Sequence, residues 1–361
     1  MSQVYKIIYN SSLILLLILN ITTIDAQDEF FEPKTTIGGY GELHFNQIKP
    51  ESSESKKTLD FHRFVVFLAH SFSEKWSFKS EIELEHNIVE GEQGALELEQ
   101  AYIDYHFSNY LGFQAGVILP SVGIMNEIHE PPTFFGVERP EYNKYIIPTT
   151  WFGNGLAIYG KFNGLDYKFT IMEGLNSDNF SASSGIRESR QEGFKSNAND
   201  LLYNIRINYL KIQNLLLGVS FSYNNAKGDS TNIPINLIEG HLQYVKNNLI
   251  IVGEYGLINY KQGKLEKSSG FYLDTGYNVN NFIGANWDII PFFRYSQYNT
   301  AALIRNNSIH EKDKYNISKW MIGLSIKPIP QVAVKFDYAV KTTKSDNEKT
   351  KLFNFGIGYM F

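Results

Sequence analysis

The sequence predicts an all-β fold, a transmembrane antiparallel barrel of about 16 strands with one inward-folded segment. Three observations predict it. The N-terminus has the form of an export signal. No apolar run after residue 27 reaches the length of a membrane-crossing helix, about 20 residues. The rest of the chain alternates apolar and polar residues with period two, broken by turns rich in Gly, Asn, Asp and Ser.

The N-terminal segment comes first. Lys6 follows a short polar start, Leu13 to Leu19 is unbroken apolar chain, and Ala26-Gln27 offers a cleavage point. Residues 1–26 are expected to be a signal peptide and 27–361 the barrel. An uncleaved anchor is disfavoured because the apolar stretch is short for a bilayer. In a membrane, only a closed barrel leaves no unpaired strand edge in lipid.

The candidate strands lie near 35–46, 59–71, 75–87, 95–107, 110–119, 153–163, 165–173, 200–210, 214–225, 234–246, 248–260, 269–279, 285–297, 315–327, 330–342 and 351–361. The last is clearest: Phe353, Phe355, Ile357, Tyr359 and Phe361 share one face, and Asn354, Gly356, Gly358 and Met360 the other. Val332 to Val340 and Tyr203 to Tyr209 alternate in the same way. A soluble sandwich also alternates, but aromatics gather here at strand ends, as the girdles of an outer-membrane barrel require. One strand is out of phase. Leu96 and Leu98 have one parity, whereas Ala101, Ile103, Tyr105 and Phe107 have the other, so either a bulge is expected near Glu99-Gln100 or part of this wall faces an internal plug instead of water. Short turns (Asn109-Tyr110, Asn163-Gly164, Asn247-Asn248, Pro328 to Pro330) alternate with long polar loops (47–58, 174–199, 298–314, 343–350), which places the short turns in the periplasm and the loops outside.

Composition agrees. The 361 residues are 43% apolar and 15% aromatic, with no cysteine and a formal net charge of -5. That balance offers no basic face for nucleic acid. Without cysteine there is no disulfide framework, no thiolate metal site and no lipoprotein anchor.

Sixteen strands enclose a water-filled lumen, so inward positions are expected to be polar. Alternation turns Glu81, Glu83, Glu85, Glu97 and Glu99 inward as an acidic flank, and Arg294, Lys319 and Lys335 inward as a basic flank elsewhere on the wall. Residues 120–152 hold four prolines, which exclude a central strand, and mix apolar with charged residues. A loop this long and apolar needs a surface to pack on. It is expected to enter and narrow the lumen, presenting Glu127, His129, Glu130, Glu138 and Arg139. Glu127, His129 and Glu130 are metal-ligand residue types, but no second histidine is close in sequence. The expectation is an ion-paired cluster with no metal and no cofactor.

DFHRFVVFLAHSFSEKWSFKSEIELEH (60–86), LELEQAYIDY (96–105), GVILPSVGIMNEIHEPPTFFGVER (116–139) and IIPTTW (146–151) resemble the porin O/P-type outer-membrane family, found in Bacteroidetes and other Gram-negative bacteria. The resemblance is specific over about 37–160 and architectural beyond it. It implies a barrel of 16 strands, often trimeric, with a constriction loop after the fifth strand. In that family, anion selectivity rests on inward Arg and Lys. Glu81, Glu83, Glu85, Glu97 and Glu99 stand on the corresponding strands here and repel phosphate, so phosphate preference is not expected.

The sequence therefore predicts an outer-membrane porin in lipid that passes small polar or ionic solutes, and the resemblance implies a homotrimer. The alternative is a plugged barrel that docks a partner. No G-x-S-x-G elbow, H-E-x-x-H helix or phosphate loop is present, and no enzyme is expected.

Overall fold

The computed structural model describes residues 31–90, 93–306 and 313–361. The proposed signal peptide lies outside the described residues. Sixteen antiparallel strands close on themselves, each hydrogen-bonded to its neighbours in sequence and the last to the first. They are β1 (Lys34–Pro50), β2 (Lys56–Ser71), β3 (Trp76–Glu90), β4 (Gln93–Ser108), β5 (Leu111–Ile118), β6 (Gly153–Phe162), β7 (Leu165–Met172), β8 (Leu202–Tyr209), β9 (Leu215–Lys227), β10 (Asn232–Lys246), β11 (Leu249–Tyr260), β12 (Leu265–Tyr277), β13 (Asp288–Ile304), β14 (Asn316–Ile329), β15 (Val332–Thr343) and β16 (Lys349–Met360). Closure is direct: β1 runs against β16 from Tyr40↔Met360 to Pro50↔Thr350.

The alternation has the anticipated physical meaning. On β8, Tyr203, Ile205, Ile207 and Tyr209 are 38–43% exposed, while inward Asn204 is 1% exposed. Similar outward belts include Leu96 and Leu98 on β4, Leu156 and Ile158 on β6, Val219 and Phe221 on β9, and Trp320 and Ile322 on β14. A contiguous apolar belt of this extent around a closed sheet fits contact with lipid rather than water. Among the described residues no helix is long and apolar enough to cross a membrane.

The phase break in β4 is a bulge. Glu81 pairs with Gln100 and Ile82 with Leu98, so Glu99 has no partner of its own on β3. The extra residue lets Leu98 and Ile103 both face outward while Glu99 turns inward and is buried. One expected loop is shorter than read from sequence. Strand β13 continues to Ile304, and its inward Tyr298, Ala301 and Ile304 are buried under other chain segments, which keeps this end of the strand ordered as sheet.

Candidate functional site in the lumen

Residues 119–152, between β5 and β6, fill one side of the lumen. Val122, Tyr142, Ile146, Ile147 and Trp151 form a buried apolar cluster with wall residues of β7 to β13, including Met172, Leu237, Ile258 and Tyr272. A second cluster sets Phe135 against Ile290, Phe292, Met321 and Ala339, with Phe135 and Phe292 stacked at 5.4 Å. The polar inner wall expected from the alternation is therefore corrected over β7 to β15. Inward residues there include large apolar side chains because the insert, not water, covers them. The sequence carried a signal for this in runs apolar on both parities, such as Leu237-Ile238 and Ile289 to Phe293.

Polar wall side chains fasten the insert by its backbone. Asn204 accepts from Ser121 N–H at 3.1 Å, Glu239 from Gly123 N–H at 3.1 Å, and Asp337 from Val137 N–H at 2.8 Å. Lysine ammonium groups donate to carbonyls of the insert: Lys327 to Pro132 at 2.6 Å and Lys335 to Gly136 at 2.9 Å. Such bonds satisfy backbone groups that would otherwise be stranded inside a barrel. Gly123 has φ +69 and a Cβ there would collide with the Glu254 carboxylate, so this close approach requires glycine.

The residues expected to form a basic flank are among these fasteners. Arg294, Lys319 and Lys335 do point inward, but each is buried. Arg294 binds Asp274 through Nε and Nη2 at 2.6 and 2.8 Å and donates from Nη1 to the Glu138 carbonyl at 3.0 Å. Lys319 lies 3.3 Å from Glu141, and Lys335 sits 3.7 Å over the Phe134 ring. Their charges are engaged by the insert, although Lys319 also borders the cavity that Glu138 and Arg139 line. A buried cation needs a partner, and the insert and its neighbours supply one.

The acidic flank divides. Glu85 and Glu97 remain partly accessible, whereas Glu81, Glu83 and Glu99 are buried. Glu83 lies 3.4 Å from Arg63, which also binds Glu42 at 2.7 Å. Of the insert residues, Glu138 and Arg139 border a cavity of about 380 Å³. Its opposite wall is β1 to β3, with Glu42, His44, Arg63 and Glu85, and Lys144, Arg187, Lys319 and Asn354 also border it. His44 binds Glu138 at 3.1 Å and Glu42 at 3.1 Å. Glu127 faces away, into a second cavity of about 710 Å³ at the short-turn end, beside Lys168, Arg206 and Asp166. Lys168 donates to it at 3.0 Å, Ser121 at 2.8 Å, and Arg206 is also bound. Burial opposes its charge, but Lys168 and Arg206 outweigh that and hold the Glu127 carboxyl down at about 2. His129 is buried against Glu81 and Glu99. Glu130 is half-buried at the start of the Pro131–Thr133 turn. The expected grouping of Glu127, His129 and Glu130 is thus split between different surroundings.

A second inward-packed segment escaped the sequence reading. The 174–199 loop, expected to be a polar outer loop, buries Leu175 and Ile186 in the larger apolar cluster. It also clasps the far end of the insert: Arg187 donates to the Thr149 carbonyl at 3.3 Å, and Arg190 to the carbonyls of Pro148 at 3.3 Å and of Thr150. Its Ser and Asn content concealed these few buried anchors.

No family model matches the chain. An uncharacterised protein of Aquifex aeolicus (strain VF5) is 35% identical over 352 residues, covering 90% of this chain and 80% of that protein. Among solved structures, an anion-selective porin from Comamonas acidovorans aligns with TM-score 0.63 at 10% identity, covering 91% of this chain and 100% of its own. The Salmonella typhi OmpF complex with daunomycin also gives TM-score 0.63, at 14% identity, covering 91% and 98%. At such identities the likeness to these porins is one of fold.

Proposed function

The chain belongs to one family with the Aquifex aeolicus protein, and from its barrel we propose that it is an outer-membrane porin for small polar or ionic solutes. The observation that carries the reading is the pair of polar cavities, one toward the long-loop end and one at the short-turn end, separated by the insert. Solute enters between the insert and the β1 to β3 wall and leaves past Glu127, Lys168 and Arg206. Both signs of charge line each cavity, so the pore orients dipolar solutes across its neck and discriminates weakly between cations and anions. The outward apolar belt supports residence in lipid, and the porin O/P-type resemblance of residues 60–151 supports a trimer. Phosphate preference is not part of this reading: the inward glutamates remain on β3 and β4, and the inward Arg and Lys of β13 to β15 are occupied by the insert.

A second reading, a plugged barrel that docks a partner, draws on the density of packing between insert and wall. Liposome swelling separates the two. Proteoliposomes placed in iso-osmotic sugars or amino acids of increasing size are expected to swell at rates that fall steeply with solute size. Absence of swelling with the smallest solute, from a barrel whose strand content is intact, selects the plug.

A further inference from the structure

We propose that Glu81, Glu99 and His129 form a binding site for one divalent transition-metal ion, which ties the insert to the barrel wall. The three side chains come from three places: β3, the bulged residue of β4 and the insert. Their ligating atoms converge within 4.8 Å of one another, and the residues are 2%, 2% and 3% exposed. His129 Nε2 lies 3.5 Å from Glu81 Oε1 and 3.9 Å from Glu99 Oε2. These separations are long for a hydrogen bond, which usually spans about 2.7–3.2 Å. They approach the spacing of about 3.4 Å between two atoms that each lie about 2.0–2.2 Å from one tetrahedral ion. All three atoms are buried with no hydrogen-bond partner among the described residues. Three acceptors left bare at one point, sealed from water, call for a cation between them.

The surroundings fix each ligand in the form a metal needs. His129 Nδ1 faces the Asn126 carbonyl at 3.3 Å and donates to it, which leaves the lone pair on Nε2. Gln100 donates to Glu81 Oε2, which leaves Oε1 free. The bulge that leaves Glu99 unpaired in the β3–β4 ladder turns its carboxylate inward. One imidazole with two carboxylates suits Zn²⁺ or a neighbouring first-row ion. Ca²⁺ and Mg²⁺ prefer oxygen alone. The two carboxylates also match the ion's charge, so the bound site is electrically neutral. Glu83, next along the same inward face, has a bare buried Oε2 as well. The neighbouring Asp60, His62 and His86 are different. Asp60 accepts from His86 at 2.8 Å and His62 at 3.2 Å, so those groups are satisfied without an ion.

The site stands whether or not the barrel conducts. The test is titration of the chelator-stripped, folded barrel with Zn²⁺ in a calorimeter, and with Co²⁺ followed by visible absorption. One ion per chain is expected, with a Co²⁺ band typical of four nitrogen and oxygen ligands and a rise in Tm on adding Zn²⁺. Glu99→Gln and His129→Gln are expected to abolish binding, and His86→Gln to leave it unchanged. If those two variants do not fold, the Co²⁺ spectrum and stoichiometry of the native chain still decide. Failure of the native chain to bind at one equivalent overturns the proposal. So does binding that His86→Gln removes and the other two variants retain.

Discussion

Asp274→Ala is expected to destabilise the folded barrel by about 3–5 kcal/mol, the cost of leaving a buried charge without its partner. Asp274 and Arg294 face each other in register on β12 and β13. The guanidinium is 2% exposed and holds the carboxylate through two bonds. Without Asp274 its remaining anchor is the Glu138 carbonyl, a neutral acceptor. Water reaches the site only if the insert lifts, so the destabilisation and the release of the insert occur together. The double replacement Asp274→Leu with Arg294→Met is expected to recover most of the loss, because two apolar side chains fit beside Phe135 and Phe292. Urea unfolding midpoints of Asp274→Ala and of the double variant check this. A single variant as stable as the parent would mean that the insert does not cover Arg294.

Trp151→Ala is expected to cost a similar amount, about 3–5 kcal/mol, through a cavity. Trp151 is 2% exposed in the larger apolar cluster, where the insert returns to β6. Its backbone N–H donates to Asn126 Oδ1 at 2.8 Å, and its carbonyl accepts from Asn126 Nδ2 at 3.1 Å. One asparagine thus clips the two ends of the insert together, and the indole fills the space behind the clip. Asn126 also donates to the Pro120 carbonyl at 2.8 Å. The loss is expected to appear first as protease cleavage within 120–152, before the strands lose their ellipticity. Simultaneous loss of both signals would mean that insert and wall unfold as one unit.

Strand number, order and phase were legible because each depends on neighbours one or two residues away. The bulge at Glu99 was legible for the same reason: Leu98 and Ala101 cannot share a face without an extra residue between them. What each inward side chain meets was not legible. Lys319 and Lys335 alternate identically whether water or an insert lies above them. The contact that decides it comes from Gly136 or Glu141, nearly two hundred residues away in sequence. His129 shows the limit most clearly. Its sequence neighbours Glu127 and Glu130 invited a local cluster, yet in space it lies against Glu81 and Glu99 on the barrel wall. Glu127 instead joins Lys168 and Arg206, which sequence offered no reason to pair.

The central claim is a pore whose neck is set by the insert between two polar cavities. Single-channel current in a planar bilayer tests it most directly, on the intact protein and on a barrel with residues 124–148 replaced by a short Gly-Ser linker. The account predicts steady conductance from the intact protein with a reversal potential near zero in a KCl gradient, and a several-fold larger conductance after replacement. An intact barrel that is silent while the replaced one conducts would contradict it and establish the insert as a plug.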